Sequence, residues 1–386
     1  ISAALILFWA ALPANVALAD PPISAESLRP WKVAYVEAGP FYDYRMNLIG
    51  LARGLEDLGL IEKGTPPASV SERADGVWRW LSQNAGGARL IFGAEDFYSA
   101  DWDDEKLNVI KGRILSKAAA GEIDLILAFG TAAGQLLATN EHHTPVLSIT
   151  ATDPVAAGIS KSASSSGLPH VHVQVQPGQL ERQLSMFHNV FGFKTLGVPY
   201  DPAADGGSTM GLPTIERMAQ TLGFEVLACP AELEISDRDE AFRNLMGCLE
   251  RLSLESDAVY LTVSNGMMES RLGEILAPMI DKRLPTFSQR GPAEARLGVL
   301  MSLAEENFMS SGQFEAEVVK EILSGREPGE INQIYVAPLT MALNIKMAMA
   351  IGWDPPFKVL AAVDELCTTM VRPAAKEAVR GGAQGF

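Results

Sequence analysis

Several kinds of residue are scarce in this chain, and each scarcity excludes a class of function. Cysteine occurs three times, at Cys229, Cys248 and Cys367. That spacing matches no zinc motif, and an odd count allows one bridge at most. Cys229 and Cys248 are the only close pair in sequence, and widely separated cysteines usually sit buried as small apolar residues, which is the expectation here, with a bridge as the alternative. Histidine occurs five times. His170 and His172 in "HVH" would share a strand face, but with no third ligand nearby in sequence a solvated strand is expected rather than a metal site.

Positive charge is also short. With 31 Lys and Arg against 47 Asp and Glu, the formal net charge is −16. Such a chain repels a phosphate backbone, so nucleic acid is excluded as a partner. The Gly-rich segment "AFGTAAGQ" lacks the lysine of a phosphate-binding loop and the full Gly-x-Gly-x-x-Gly of a dinucleotide site. There is no Gly-x-Ser-x-Gly nucleophile elbow. No catalytic residue, metal or cofactor is expected, and the chain reads as a binding protein rather than an enzyme.

Long apolar runs are absent too. The apolar run within the most apolar stretch, "ISAALILFWAALPANVALAD", is shorter than the roughly 20 residues of a membrane helix. It closes on Ala17-Leu18-Ala19, the small-x-small pattern of a signal peptidase site before Asp20. Residues 1–19 are therefore expected to be an export signal, which gives a periplasmic protein.

What the chain does have is alternation. "WKVAYVEAG" reads as a strand and "RMNLIGLARGLEDLGL" as an amphipathic helix. "RLIFGAED", "IDLILAFG" and "TPVLSITA" read as further strands, with helical segments between them. Parallel strands need such crossovers, so the succession predicts a parallel sheet with helices on both faces. After the Ser- and Gly-rich "TDPVAAGISKSASSSGLPH" the alternation resumes through "KTLGVPY", "FEVLACP", "SDAVYLTVS" and "PTFSQR". The fold class expected is α/β: two Rossmann-like lobes joined by a hinge around a ligand cleft. The first lobe is expected over residues 28–151, with 61–88 as a surface insertion, and the second over 152–290. Residues 291–330 are expected to return to the first lobe, and 331–372 to cross the hinge and close the chain.

In a doubly wound sheet, ligands meet the loops at the carboxyl ends of strands. That rule selects Glu37, Phe41, Tyr42, Tyr44, Gly130, Thr131, Thr152 and Asp153 in the first lobe. In the second it selects Tyr200, Met210, Ser264, Asn265, Met267, Gln289 and Arg290. Hydroxyls and amides would fix orientation, while aromatic rings and methionines supply apolar surface. This mixture suits an aromatic or otherwise hydrophobic solute better than a sugar or inorganic anion. Asp153 before Pro154 has two readings: a cap at the lobe crossing, which the Asp-Pro order favours, or a partner for a ligand ammonium or hydroxyl.

"DLILAFGTAAGQLLA", "TPVLSITATDPVAAGI", "DAVYLTVSN", "LPTFSQRGPAEARLGVLMSLAEENFMSSGQFEAEVVKEILSGREPGEI" and "LNIKMAMAIGW" follow one another in an order that resembles the ABC-transporter substrate-binding proteins related to tryptophan-binding TrpX. The resemblance runs from about Trp31 to about Trp353. It implies a type I periplasmic-binding-protein fold, a monomer that closes on an aromatic-amino-acid-like solute, and delivery to an ABC permease. "EAGPFYDYRMN" is more aromatic than the family pattern, "YDPAADGGSTMGLP" is longer and residues 61–88 look inserted. These departures fall where specificity should be set and leave two alternatives open, a carrier of a lipid-like ligand such as a sterol or an extracytoplasmic ligand sensor.

Overall fold

A computed structural model describes residues 29–70, 73–87, 89–202, 210–306 and 308–371. The expected export signal lies outside the described residues, as does most of the loop between Tyr200 and Met210.

The first sheet is wholly parallel, with strand order β2-β1-β3-β4-β5. Its strands are β1 (Trp31–Glu37), β2 (Leu90–Ser99), β3 (Leu125–Phe129), β4 (Val146–Ile149) and β5 (Val171–Val173). All five residues of β3 are buried, as they must be in a central strand covered on both faces. Helices α1 (Tyr42–Asp57), α2 (Ala74–Asn84), α3 (Asp104–Ala119) and α4 (Thr131–Leu137) belong to this lobe. Asp103 starts α3 by accepting from the Lys106 N–H at 2.9 Å.

The second sheet has seven strands in the order β12-β11-β10-β9-β8-β6-β7. They are β6 (Thr195–Tyr200), β7 (Glu225–Pro230), β8 (Ala258–Leu261), β9 (Thr286–Ser288), β10 (Met301–Glu305), β11 (Leu339–Asn344) and β12 (Glu365–Cys367). All neighbours are parallel except β10 and β11. Helices α5 (Gln179–Phe191), α6 (Leu212–Leu222), α7 (Arg238–Glu255), α8 (Leu272–Lys282), α9 (Pro292–Leu297), α11 (Ile345–Ile351) and α12 (Phe357–Leu360) accompany it, while α10 (Met309–Leu323) does not.

Helix α10 packs on α1 of the first lobe, and its Ala316, Val319 and Ile322 join the core of that lobe. The two helices meet at Gly50, Gly54 and Gly312. A Cβ on Gly54 would lie 2.6 Å from that of Ala316, so only glycine permits this approach.

The lobe boundaries differ from the sequence-based expectation in three places. The first sheet gains β5, so the chain leaves that lobe after Val175 rather than at Ala151. A Ser- and Gly-rich run resembles a linker, but "VHV" after it is short and fully buried, and pairs with β4. Second, β10 stays in the second sheet, and only α10 returns to the first lobe. Third, the segment expected as a surface insertion contributes Trp78, which is 1% exposed. Its ring packs against Tyr35, Phe92 and Phe97, and its indole N–H donates to the Gly93 carbonyl at 2.7 Å.

The chain thus crosses between lobes three times: after β5, after β10 and after α10. The first and third crossings are tied together, Val175 donating to the Gln333 carbonyl and Tyr335 to that of Val175, each at 2.9 Å. Cys229 on β7 and Cys248 on α7 form a disulfide, against the expectation of separate thiols, because strand and helix pack face to face there. Cys367 is free and buried.

Candidate functional site

The cleft lies where the strand-end rule places it. Ala38, Phe41, Asp43 and Tyr44 follow β1, with Asn47 one turn into α1; Trp102 follows β2, Thr131 and Ala132 follow β3, and Thr150 to Thr152 follow β4. The hinge supplies Gln176, and Gln179 and Leu180 come from α5. The second lobe supplies Glu234, Val263, Gln289 and Arg290 after β7, β8 and β9, and Ala304, Glu305 and Phe308 around the end of β10.

Of the residues selected from sequence, Phe41, Tyr44, Thr131, Thr152, Gln289 and Arg290 line this space. The others frame it. Glu37 is 1% exposed beneath Ala38 and accepts from the Tyr35 hydroxyl at 2.7 Å. Burial pushes its pKa up to about 7, against hydrogen bonds from Tyr35 and Ser99 and the charge of Arg73. Gly130 has φ +84 and lies against the Tyr44 ring, so it shapes the site through its lack of a side chain. Tyr42 is exposed and covers the Arg290 guanidinium, 4.7 Å from its ring centre.

Asp153 serves as the cap and as more. One oxygen accepts from the Ala156 N–H at 3.1 Å, and the other from the Thr214 hydroxyl of α6 at 2.5 Å. Both oxygens are therefore engaged within the protein. Tyr200, Met210 and Met267 pack with the second core. Asn265 braces a loop by donating to the Ile235 carbonyl at 2.6 Å. Ser264 is 1% exposed and away from the cleft lining.

Gln289 lines the cleft but spends its amide on architecture, donating to the Met210 carbonyl at 3.0 Å and accepting from the Val263 N–H at 2.8 Å. Thr131 accepts from the Thr152 N–H at 3.3 Å, joining the β3 and β4 loops. Arg290 pairs with Asp43 at 3.1 Å, Glu269 at 2.6 Å and Glu294 at 3.8 Å. Burial alone would lower its pKa, but these carboxylates outweigh it and raise it.

Among the lining residues that the sequence reading misses are Asn47, Trp102, Gln176, Glu234, Glu305 and Phe308. Four of them, Asn47, Trp102, Gln176 and Glu305, carry a buried polar atom with no hydrogen-bond partner, as does Arg290 at Nη2. Burial, with Asp201 and Asp104 nearby, pushes the pKa of Glu234 up to about 8. Trp102, Thr150 and Phe308 have φ of +66, +62 and +56. Left-handed conformations at non-glycine residues cost of order 1–3 kcal/mol each and concentrate at functional sites.

The two histidines of "HVH" are buried, against the expectation of a solvated strand. His170 is 7% exposed and lies 3.0 Å from the Thr139 carbonyl through Nε2. His172 is fully buried, with Nε2 3.0 Å from the Asn332 carbonyl, and burial pushes its pKa down to about 4. Among the described residues no cluster of side chains suits a metal ion, and no helix is long and apolar enough to cross a membrane.

Two lobes built on parallel or mostly parallel sheets, three crossings and a cleft lined by strand ends define a type I periplasmic-binding-protein fold. The pattern of the family described as ABC transporter substrate binding protein matches residues 95–366. The chain belongs to that family. No curated protein matches it. Among solved structures, a conserved domain protein from Vibrio cholerae is similar with a TM-score of 0.64 at 18% identity, covering 88% of this chain and 100% of its own. The ABC domain of a Streptococcus pneumonia protein in complex with L-Trp has a TM-score of 0.64 at 18% identity, covering 87% and 99%. CD0873 from Clostridium difficile, a substrate-binding protein in a ligand-free, open form, has a TM-score of 0.56 at 18% identity, covering 89% and 100%.

Proposed function

We infer that this substrate-binding protein captures a small aromatic solute of amino-acid size by closing its lobes, and hands it to an ABC permease outside the cytoplasm. The observation that carries this reading is the cleft lining: Phe41, Tyr44, Trp102 and Phe308 surround a space that also holds unpartnered polar atoms of Asn47, Gln176 and Glu305. Aromatic walls contribute apolar contact and stacking to a ring. A sterol or long acyl chain would leave the buried polar atoms unsatisfied, at about 1–3 kcal/mol each, and the lipid-like alternative is disfavoured on that ground. The L-Trp complex of a structural relative agrees with the same class of solute.

Native mass spectrometry of the purified protein, with extraction of whatever copurifies, tests the reading. A molecule with an aromatic ring and about the size of an amino acid is expected, and a sterol counts against the reading. A long-chain lipid or a sugar in its place overturns it.

A further inference from the structure

The charges and unpartnered atoms of the cleft specify the solute further, resting on the reading that this cleft is the solute site. Among the described residues, the ionisable side chains lining it are the acids Asp43, Glu234 and Glu305 and the single base Arg290, and Glu234, with its pKa near 8, is mostly protonated near neutral pH. Arg290 has no charge to spare, because Asp43, Glu269 and Glu294 all pair with it. Its unpartnered Nη2 can hydrogen-bond a neutral acceptor, but the guanidinium is already compensated and offers an anion little. Glu305, by contrast, meets no cation among the described residues, and burial raises its pKa. Its Oε1 accepts from the Tyr335 hydroxyl at 3.0 Å and the Ser311 N–H at 3.2 Å, while Oε2 has no partner.

Two more acceptors belong with Glu305. Asn47 Nδ2 donates to the Ser311 hydroxyl at 2.9 Å, and its Oδ1 is left without a donor. Gln176 lines the same cleft and its Oε1 is also without a donor. Asn47 is fully buried and Glu305 is 5% exposed, so water does not readily replace the missing donors. Ser311 bonds to both residues, which fixes them on one side of the cleft, at its hinge end. Three acceptor oxygens, one of them a carboxylate without a counter-ion, call for a group with several N–H donors and positive charge.

We propose that the solute is an organic cation, a protonated amine on an aromatic body, whose ammonium is held by Asn47, Gln176 and Glu305. A quaternary ammonium has no N–H and leaves all three acceptors unpaired. A zwitterion's carboxylate could meet the unpartnered N–H donors of Trp102 Nε1 and Arg290 Nη2, but it would find no free positive charge, because Arg290, the one cation lining the cleft among the described residues, is already paired with three acids. The amine therefore fits better than the corresponding amino acid.

Isothermal titration of the full chain near neutral pH with ring-matched probes tests this. Tryptamine, L-tryptophan, indole-3-propionate and 3-methylindole share one ring and differ in charge, and hexylammonium carries the amine without the ring. Tryptamine should bind at least about tenfold tighter than 3-methylindole and tighter than the other two indoles, since hydrogen bonds to a charged group contribute about 1.5–3 kcal/mol. Glu305→Gln should erase the preference for tryptamine over 3-methylindole. If L-tryptophan binds tightest, or all four indoles bind alike, the cation assignment is overturned while the aromatic reading stands. If hexylammonium binds and no indole does, the aromatic reading fails and the ammonium site stands. If no probe binds, both are overturned. The comparison on the unaltered protein holds whether or not the variant folds.

Discussion

Arg290 of the second lobe donates from Nε to Asp43 of the first at 3.1 Å, across the mouth of the cleft. Tyr42 and Phe41, also from the first lobe, lie beside the same guanidinium at 4.7 and 5.7 Å. The contact exists only when the lobes are together, so it stabilises the closed form. Asp43→Asn should therefore shift the free protein toward an open form and weaken solute affinity. Breaking a buried pair costs roughly 3–5 kcal/mol, and the effect should fall at or below the lower end because Glu269 and Glu294 still pair with Arg290. Small-angle scattering with and without solute reads the change. An unaltered radius of gyration and affinity would show that the pair does not govern closure.

Trp78 tests whether the segment around α2 belongs to the core. Its ring sits between Tyr35 and Phe92 at centroid distances of 5.8 and 5.2 Å. Trp78→Ala should lower stability by about 3–5 kcal/mol, as for other large core truncations. Urea denaturation followed by circular dichroism measures it. A loss below about 1 kcal/mol would return the segment to the status of a surface insertion.

The part of the fold that sequence reveals is the part set by periodicity. Buried strands such as "LILAF" alternate with amphipathic helices, and parallel pairing follows from the crossovers. The strand-end rule then finds Phe41, Tyr44, Thr131 and Arg290. It misses Trp102 because β2 runs on to Ser99, beyond the apolar run that signals it. It misses Gln176 because β5 has only three residues. Glu234 follows the legible strand "FEVLACP" and Glu305 ends the legible strand "LMSLAE", but their side chains gain meaning only when the two lobes face each other. Asn47 lies inside a helix, where nothing local distinguishes it. Partnerless atoms are a property of packing, and no spacing in sequence encodes them.

The disulfide links β7 to α7 across 19 residues and confines the unfolded chain. Closing a loop of this size stabilises by about 3 kcal/mol in the chain-entropy account. Cys248→Ser should therefore lower the midpoint of urea unfolding, and reductant should do the same to the natural protein. Since Cys367 is buried and remote in sequence, Cys367→Ser should leave the effect of reductant unchanged. If reductant does not move the midpoint, the bridge makes no contribution.

Glu37 sets a pH dependence whose sign follows from its burial. Its pKa stands near 7 in the folded protein against an ordinary value of 4.5. The native state thus holds this proton more tightly than the unfolded chain does. The associated stability is fully present below about pH 4.5 and is lost as pH rises through 7, amounting to about 3 kcal/mol for the shift. Glu37→Gln keeps an acceptor for the Tyr35 hydroxyl and removes the titration. Glu234, raised to about 8, adds a loss of the same sign in both proteins, so the comparison between them isolates Glu37. Unfolding free energies of the two chains at pH 5 and pH 8 should diverge, with the natural protein losing more over that interval. Parallel pH profiles would mean that Glu37 ionises in the native protein at the same pH as in the unfolded chain, and that the floor of the cleft is wetter than its 1% exposure implies.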